Sequence, residues 1–504
     1  MRTPLTVAAV GLGLVVSSLL VTPSAQAGAS GCDTGVPSDF NGDGFSDVAV
    51  ANSTASEAGQ TSAGRVTVRY GDADNRVGEG VATNVRADTG NDPGGIVQTG
   101  ARWGFSLVTA DLDCDGFTDL VVGAPLFDNI GAVDSGTVTV LYGEAAGFVS
   151  TSRQDVMISD DFGRTRATGD RFGYSVDAVE DLGQGGTPDP DAYGIIIGVP
   201  YRDTSGFTNS GAVAVRTALD GGNIGTWIDE TTPGVGGGAE AGDLFGFSVA
   251  FGFFDDNSTV DALVGVPSED VGSIDDAGSV VRLDNVYGDE LDGGTAITQN
   301  SSGVPDSAEA SDQFGRVVDA WTSATGANSR AVASAPYENI GSAVNAGLVQ
   351  LFDKPSGGSL GPGIALSQNT SGVGGTAQTN DYFGSDVAIG PGYLTAIGVP
   401  GQNGSEVDSG LIQLVPLANV ADDTSYTQAS SGVPGTANAG EKLGSAVGII
   451  DGASEDVALA GVPADVENAD GLVNVFPFPA GVPRSWLPTG VGGGFGDAFG
   501  GQGR

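Results

Sequence analysis

An apolar run ending in Gly-Ala-Pro or Gly-Val-Pro recurs along almost the whole chain and constrains the fold more than any other feature. It appears as Val121-Val122-Gly123-Ala124-Pro125, Ile196-Ile197-Gly198-Val199-Pro200, Leu263-Val264-Gly265-Val266-Pro267, Val332-Ala333-Ser334-Ala335-Pro336, Ala396-Ile397-Gly398-Val399-Pro400 and Leu459-Ala460-Gly461-Val462-Pro463. Val48-Ala49-Val50-Ala51-Asn52 is a seventh copy without the proline. Successive prolines lie 75, 67, 69, 64 and 63 residues apart. A near-constant period means repeated supersecondary units that bury their faces against one another.

Each full unit keeps one internal order. An aromatic-Gly pair opens it, at Trp103-Gly104, Phe172-Gly173, Phe245-Gly246, Phe314-Gly315 and Phe383-Gly384, with Leu443-Gly444 the weakest copy. A short strand and the Gly-Ala-Pro strand follow. After a polar loop, Gly136 to Tyr142 alternates in polarity, matched by Gly64 to Tyr70, Gly347 to Phe352, Gly410 to Val415 and Gly471 to Phe476. Alternation predicts a pleated strand with two unlike faces. A fourth strand, such as Thr295 to Gln299 or Ile364 to Gln368, leads into a Gly/Ser-rich loop. Four strands per unit is the size of a propeller blade.

The order aromatic-Gly, acidic loop, Gly-Ala-Pro resembles the FG-GAP repeat of integrin α chains and of bacterial secreted proteins. The resemblance implies an all-β fold, a seven-bladed β-propeller of four-stranded antiparallel blades filling residues 28–504. The blades are expected at about 36–85 (closed by about 495–504), 101–160, 170–232, 243–300, 312–369, 381–430 and 441–488. Closure is expected because Trp486 to Gly500 repeats the pattern of Gly303 to Gly315, while the first unit lacks its aromatic-Gly pair. Phe499 and Gly500 would then complete the blade begun by Asp39 to Tyr70, removing the open edges at the seam.

The N-terminus predicts export. Arg2, an apolar run from Val7 to Val21 and Ala25-Gln26-Ala27 form a signal peptide over residues 1–27. Ala29-Ser30-Gly31-Cys32 is a poor lipobox, and Leu487-Pro488-Thr489-Gly490 resembles a sortase signal with a residue missing and is read as a loop. The formal net charge is −44, with 63 acidic and 19 basic residues and no histidine. Nucleic acid and anionic membrane surfaces would be repelled, and neither partner nor membrane insertion is expected. Disorder is disfavoured by 39% hydrophobic content in evenly spaced β-type runs.

Two acidic loops carry metal chemistry, Asp39-Phe40-Asn41-Gly42-Asp43-Gly44-Phe45-Ser46-Asp47 and Asp111-Leu112-Asp113-Cys114-Asp115-Gly116-Phe117-Thr118-Asp119. Oxygens at positions 1, 3, 5 and 9, with the carbonyls of Phe45 and Phe117 at position 7, suit Ca2+, and glycine at position 6 permits the sharp turn. An EF-hand is excluded, because its twelfth position is Val50 or Val122 and a β run follows. Asp255, Asn257 and Asp261 form a shortened third loop, Asp181 with Asp189 and Asp191, and Asp451 with Glu455 and Asp456, are fainter traces, and blades five and six carry none.

Cys32 and Cys114 are the only cysteines, and in an exported chain one disulfide between them is expected. It requires residues 28–38 to run beside the calcium loops rather than form a first strand, which again demands that strand from the C-terminus.

Missing histidine removes the commonest general base and every Ser-His or Cys-His dyad, so no enzyme is expected. Carboxylate chemistry on polysaccharides and a purely structural envelope role stay open as alternatives. The expected function, implied by the resemblance, is a secreted, monomeric calcium-binding adhesion module for an extracellular protein or glycan. In FG-GAP propellers the loops after Gly-Ala-Pro face away from the metals, which makes Phe127, Asp128, Tyr201, Arg202, Asp203, Tyr337 and Glu338 the candidate ligand face.

Overall fold

The structure is a computed structural model that describes residues 38–500 except 73–75, 88–96, 150–151, 181–192, 218–224, 258, 287–290, 323–327, 391–393, 453–455, 466, 469–470, 479–480 and 488–497. The expected signal peptide, Cys32, Asp181, Asp189, Asp191 and Glu455 lie outside the described residues. Among the described residues the strands form seven antiparallel sheets of four. Blade one orders Ala498–Gly500, Val48–Asn52, Arg65–Arg69 and Ala82–Val85. Blade two runs Ser106–Ala110, Asp119–Ala124, Thr137–Leu141 and Gln154–Met157, and blade three Ser175–Val179, Gly194–Gly198, Val213–Thr217 and Thr226–Ile228. Blade four runs Ser248–Gly252, Asp261–Val266, Ser279–Asp284 and Gly293–Ile297, and blade five Val318–Thr322, Ser329–Ala335, Leu348–Lys354 and Gly361–Leu366. Blade six runs Val387–Ile389, Leu394–Val399, Leu411–Pro416 and Thr424–Tyr426, and blade seven Val447–Ile450, Asp456–Val462, Leu472–Phe478 and Arg484–Trp486.

The second strand of each blade is apolar on both faces because it is covered by a neighbouring blade on each side. The buried residues accordingly fall into clusters that each join two consecutive blades, from one and two round to seven and one. At the seam Val48 and Val50 pack with Ile450, Leu459, Val475 and Trp486. Trp486 Nε1 donates to Glu79 Oε1 at 3.0 Å, and Arg484 pairs with Glu79 at 2.8 Å. Blade one gains its first strand from the far end of the chain, with Val50 opposite Phe499 and Ala49 opposite Gly500.

The aromatic of each opening pair is a wedge between blades. Trp103, Phe172, Phe245, Phe314 and Phe383 are all buried, each contributing about 2–3 kcal/mol by transfer from water. Its backbone also pairs in parallel with the glycine opening the third strand of the preceding blade, as in Gly136 with Phe172, Gly211 with Phe245 and Gly278 with Phe314. Gly136 sits at φ 80°, where L side chains are strained, and a Cβ there would overlap the carbonyl oxygen of Phe172. The pair's glycine meets the motif glycine of the blade before it. A Cβ on Gly123, Gly198, Gly265 or Gly398 would overlap the carbonyl of Gly173, Gly246, Gly315 or Gly444 respectively.

Buried aspartates add a second tie between first strands. Asp177 Oδ2 accepts the Phe251 N–H at 2.6 Å, Asp319 Oδ2 the Ile389 N–H at 2.8 Å and Asp386 Oδ2 the Val447 N–H at 2.7 Å, each reaching the next blade. Burial holds the Asp319 and Asp386 carboxyls well above the usual carboxylate range, and Asp177 lies close enough to raise Asp319 further.

Two outcomes follow. Gly136→Ala should cost about 2–4 kcal/mol in equilibrium unfolding, against about 1 kcal/mol for Gly131→Ala, which shares a positive φ of 84° but faces open space; equal costs would remove the latch. Carboxyls raised in the folded state bind protons more tightly there, so their contribution is full below the unfolded value and disappears as pH rises through the folded one. Thermal unfolding in chelator should therefore show Tm falling as pH rises above the ordinary carboxylate range, and a rising profile would contradict the burial of Asp319 and Asp386.

Candidate metal centre

Loop two joins the first strand of blade two to its second, and loop one leads into the second strand of blade one, so both lie at the same end of the ring. In loop one Asp39 Oδ1 and Oδ2 accept the N–H groups of Asp43 and Gly44 at 3.1 and 2.8 Å, and Asp43 Oδ1 accepts Phe45 N–H at 3.0 Å. Loop two repeats this, with Gly116 N–H on Asp111 Oδ2 at 3.0 Å and Phe117 N–H on Asp115 Oδ1 at 2.9 Å. Gly42, Gly44 and Gly116 have φ of 68°, 88° and 88°, so the turn is one that glycine permits. The loops also rest on each other. Thr118 N–H donates to the Asp39 carbonyl at 2.9 Å, and Phe117 packs where a Cβ on Gly42 would stand.

Ligand oxygens converge in both. Carboxylates of Asp39, Asp43 and Asp47, and of Asp111, Asp113 and Asp115, lie within 4.8 Å of one another in each set. Asp111 Oδ1 and Asp113 Oδ1 are buried without a hydrogen-bond partner. Asp113 Oδ2 instead takes Arg153 at 3.0 Å, a counter-charge that loop one lacks among the described residues that hydrogen-bond to it. Asn41 Oδ1 accepts the Asp43 N–H at 3.0 Å. Burial, then the neighbouring carboxylates, pushes Asp111 up to about 6 and Asp47 up to about 8.

The ninth position has a further role. Asp47 accepts N–H groups from Phe40 and Gly71 at 2.8 and 2.7 Å, and Asp119 from Leu112 and Gly143 at 2.8 and 2.9 Å. Each fully buried carboxylate thus braces the loop to the second and third strands. Asp261 repeats the brace with Phe254 and Asn285 at 2.7 and 3.0 Å. In this third loop Asn257 turns its side-chain oxygen onto Thr259, and the acids that converge are Asp255, Asp261 and Asp284. Asp284 lies on the adjacent third strand, outside the loop, where no local spacing points to it. Asp451 is raised by burial and by Asp456 beside it. Cys114, at φ 55°, belongs to loop two, and no described cysteine is free.

The opposite end of the ring holds the residues after Gly-Ala-Pro. Tyr201 lies under Arg171, whose guanidinium carbon is 3.9 Å from the ring centroid, and meets Tyr174 edge-on at 5.6 Å. Arg202 pairs with Asp170 at 2.6 Å and covers Trp227. Tyr337 meets Tyr382 at 5.6 Å, and Phe127 packs against the core between blades one and two. Asp128 and Asp203 are exposed and cap their own hairpins by accepting Asp134 and Asn209 N–H groups. Glu338 is only 2% exposed and accepts from Gln299 at 2.6 Å, so it is an interior group rather than a surface one. Two acid clusters at this end escaped the sequence reading, Glu230 with Asp243 and Glu269, and Glu309 with Asp312 and Glu338. Aligning the units on the residue two before each aromatic-Gly pair and two after each proline would have exposed them. Burial, with Asp243, Glu240 and Asp270 beside it, pushes Glu269 up to about 8.

Brace and ligand are separable by mutation. Asp119→Ala strands two buried N–H groups and should cost about 2–4 kcal/mol in chelator, whereas Asp115→Asn, at an exposed site, should stay within ~0.5 kcal/mol of the parent. Equal urea midpoints for the two variants would refute the brace.

The FG-GAP repeat model matches residues 33–68 and 103–141, the two segments that hold the Asp-rich loops. The chain is 34% identical over 118 residues to phosphatidylinositol-glycan-specific phospholipase D of Bos taurus, spanning 23% of this chain and 13% of that protein. It is 29% identical over 172 residues to integrin alpha-5 of Xenopus laevis, spanning 33% of this chain and 15% of the relative. The matched part is thus only about an eighth to a seventh of each relative's length. A solved structure from a study of two prolyl endopeptidases aligns with a TM-score of 0.34 at 10% identity, over 74% of this chain and 42% of that one, too distant a likeness to inform fold or activity. No helix among the described residues is long and apolar enough to cross a membrane, a statement that does not bear on spanning strands. With the repeat model matched on blades one and two, an integrin α chain among its relatives and seven four-stranded blades in a ring, the chain is an integrin-like FG-GAP β-propeller.

Proposed function

We propose that this propeller is a secreted, non-enzymatic binding module whose two Asp-rich loops hold calcium at one end while the other end takes an extracellular protein or glycan. The observation that carries the ligand face is an arc of aromatic and arginine side chains across blades two to six. Its floor is the buried Phe105 and Phe247, each 5.0 Å in centroid separation from the half-buried Tyr174, and Arg316 lies over both Phe247 and the half-buried Tyr337 at 5.0 and 5.5 Å. Tyr382 and Tyr201, with Arg171 stacked on it, extend the arc. In a chain with 19 basic residues against 63 acidic ones, placing arginines among aromatics concentrates the two side-chain types most enriched in binding hot spots.

Calcium suits the loops by donor chemistry. All side-chain donors are oxygens, and the orphaned Asp111 Oδ1 and Asp113 Oδ1 are left for a cation to satisfy. Asp39, Asn41, Asp43 and Asp47 with the Phe45 carbonyl would hold one ion, and Asp111, Asp113, Asp115 and Asp119 with the Phe117 carbonyl a second, Asp47 and Asp119 bracing the loops as well. A bound divalent ion would neutralise carboxylates that otherwise repel. The Cys32–Cys114 bridge, part of the same reading, would tie the N-terminal segment to loop two.

A glycan array and a pull-down from extracellular medium, each run with the parent and with Arg171→Ala/Tyr201→Ala, test the reading. Binding to a glycan or protein that falls at least tenfold in the variant is expected. Binding unchanged by the substitutions would move the ligand off this face, and polysaccharide cleavage by the parent would overturn the non-enzymatic reading.

A further inference from the structure

The end of the ring that carries the aromatic arc also carries a repeated three-residue set. It is formed by the residue two beyond the fourth strand of one blade, the acid two before the next aromatic-Gly pair, and the residue two after the next Gly-Ala-Pro proline. The successive sets are Ser159, Asp170 and Arg202; Glu230, Asp243 and Glu269; Gln299, Asp312 and Glu338; Gln368, Asp381 and Gln402; and Gln428, Glu441 and Asp465. Four of the five contain their own donor. Arg202 donates to Asp170 at 2.6 Å, Gln299 to Glu338 at 2.6 Å, Gln368 to Gln402, and Gln428 to Asp465 at 3.5 Å.

The set between blades three and four has none. Glu230 stands where Gln299, Gln368 and Gln428 place an amide donor, so three carboxylates meet within 4.8 Å. Glu230 is 7% exposed, and its Oε1 and Oε2, with Glu269 Oε2, are buried without a hydrogen-bond partner. Asp243 Oδ2 accepts the Glu240 N–H, and the other charged groups acting on the three, Asp229, Glu240 and Asp270, are all acidic. A buried, unpaired carboxylate costs several kcal/mol unless a counter-charge or a donor meets it. Gly237, at φ 96°, closes over the cluster, since a Cβ there would come within 2.5 Å of Glu230 Oε1. The site is small, buried and lined by oxygen alone, which selects a hard cation over a soft one.

We propose that Glu230, Asp243 and Glu269 bind a calcium ion between blades three and four, at the end of the propeller opposite the Asp-rich loops. It would join the segment leaving blade three to the two loops of blade four that flank it, in the place where the other interfaces use an amide or guanidinium. This site stands independently of metal in loops one and two.

The test is calcium chloride titrated by calorimetry and by thermal unfolding into the full chain after chelator treatment, for the parent, Glu230→Gln, Glu269→Gln and Asp115→Asn. Glu230→Gln installs the amide native to the neighbouring sets. It should lose one equivalent of bound calcium, gain less Tm from calcium, and match or exceed the parent Tm in chelator. Glu269→Gln should lose the same equivalent, and combining Glu230→Gln with Asp115→Asn should remove a further one. Should Glu230→Gln fail to fold by circular dichroism, Glu269→Gln alone decides. Unchanged stoichiometry and an unchanged calcium-induced shift in the folded variants would overturn the proposal and leave the cluster neutralised by shared protons. Loss of the Asp115→Asn effect alone would refute metal in loop two without touching this site.

Discussion

Backbone contact between neighbouring blades, at positions where no side chain fits, is the constraint on which the ring depends. The carbonyl of Gly173 stands where a Cβ of Gly123 would be, and the same meeting recurs at Gly198 with Gly246 and at Gly265 with Gly315. The aromatic of each pair is buried beside this contact and pairs its backbone with the glycine that opens the preceding blade's third strand. The two halves of the repeat motif therefore act on different blades. One blade's Gly-Ala-Pro strand is completed by the next blade's aromatic-Gly pair, which explains why a single unit would leave apolar faces and backbone groups exposed. Blade five shows the tolerance of the device, since Ser334 replaces the motif glycine and its Cβ would sit 3.2 Å from one built on Gly384.

Fixing the blades in this way fixes their loops. Among the described residues, loops that lead into second strands emerge at one end and loops after Gly-Ala-Pro at the other, so a repeat in sequence becomes two separate surfaces. One gathers aspartates whose backbone hydrogen bonds shape them into oxygen cages, braced by Asp47, Asp119 and Asp261. The other gathers aromatic rings and arginines over buried polar sets. Acidity thus has three physical roles here: bracing by fully buried aspartates, crowding of carboxylates around a common point, and tying first strands together through Asp177, Asp319 and Asp386.

The sequence by itself determined the repeat, its seven copies, the alternating third strands and the Asp-x-Asn/Asp-x-Asp-Gly loops, because those depend on spacing and on glycine, both local properties. It located the third strands closely, Thr137–Leu141 falling inside Gly136 to Tyr142, but placed fourth strands about two residues late, as Gly293–Ile297 against Thr295 to Gln299 shows. Fourth strands are half-exposed edges with weak alternation, so little in their composition marks an end. Tertiary structure alone decided which acids meet. Asp284 joins Asp255 and Asp261 from an adjacent strand, Glu338 turns inward to Gln299, and Glu230 faces Asp243 and Glu269 from a different blade. Asp284 reaches its partners when the strands of one blade pair, whereas the other sets, separated in sequence by up to about forty residues, are brought together only when consecutive blades dock, and neither step is encoded in a local pattern.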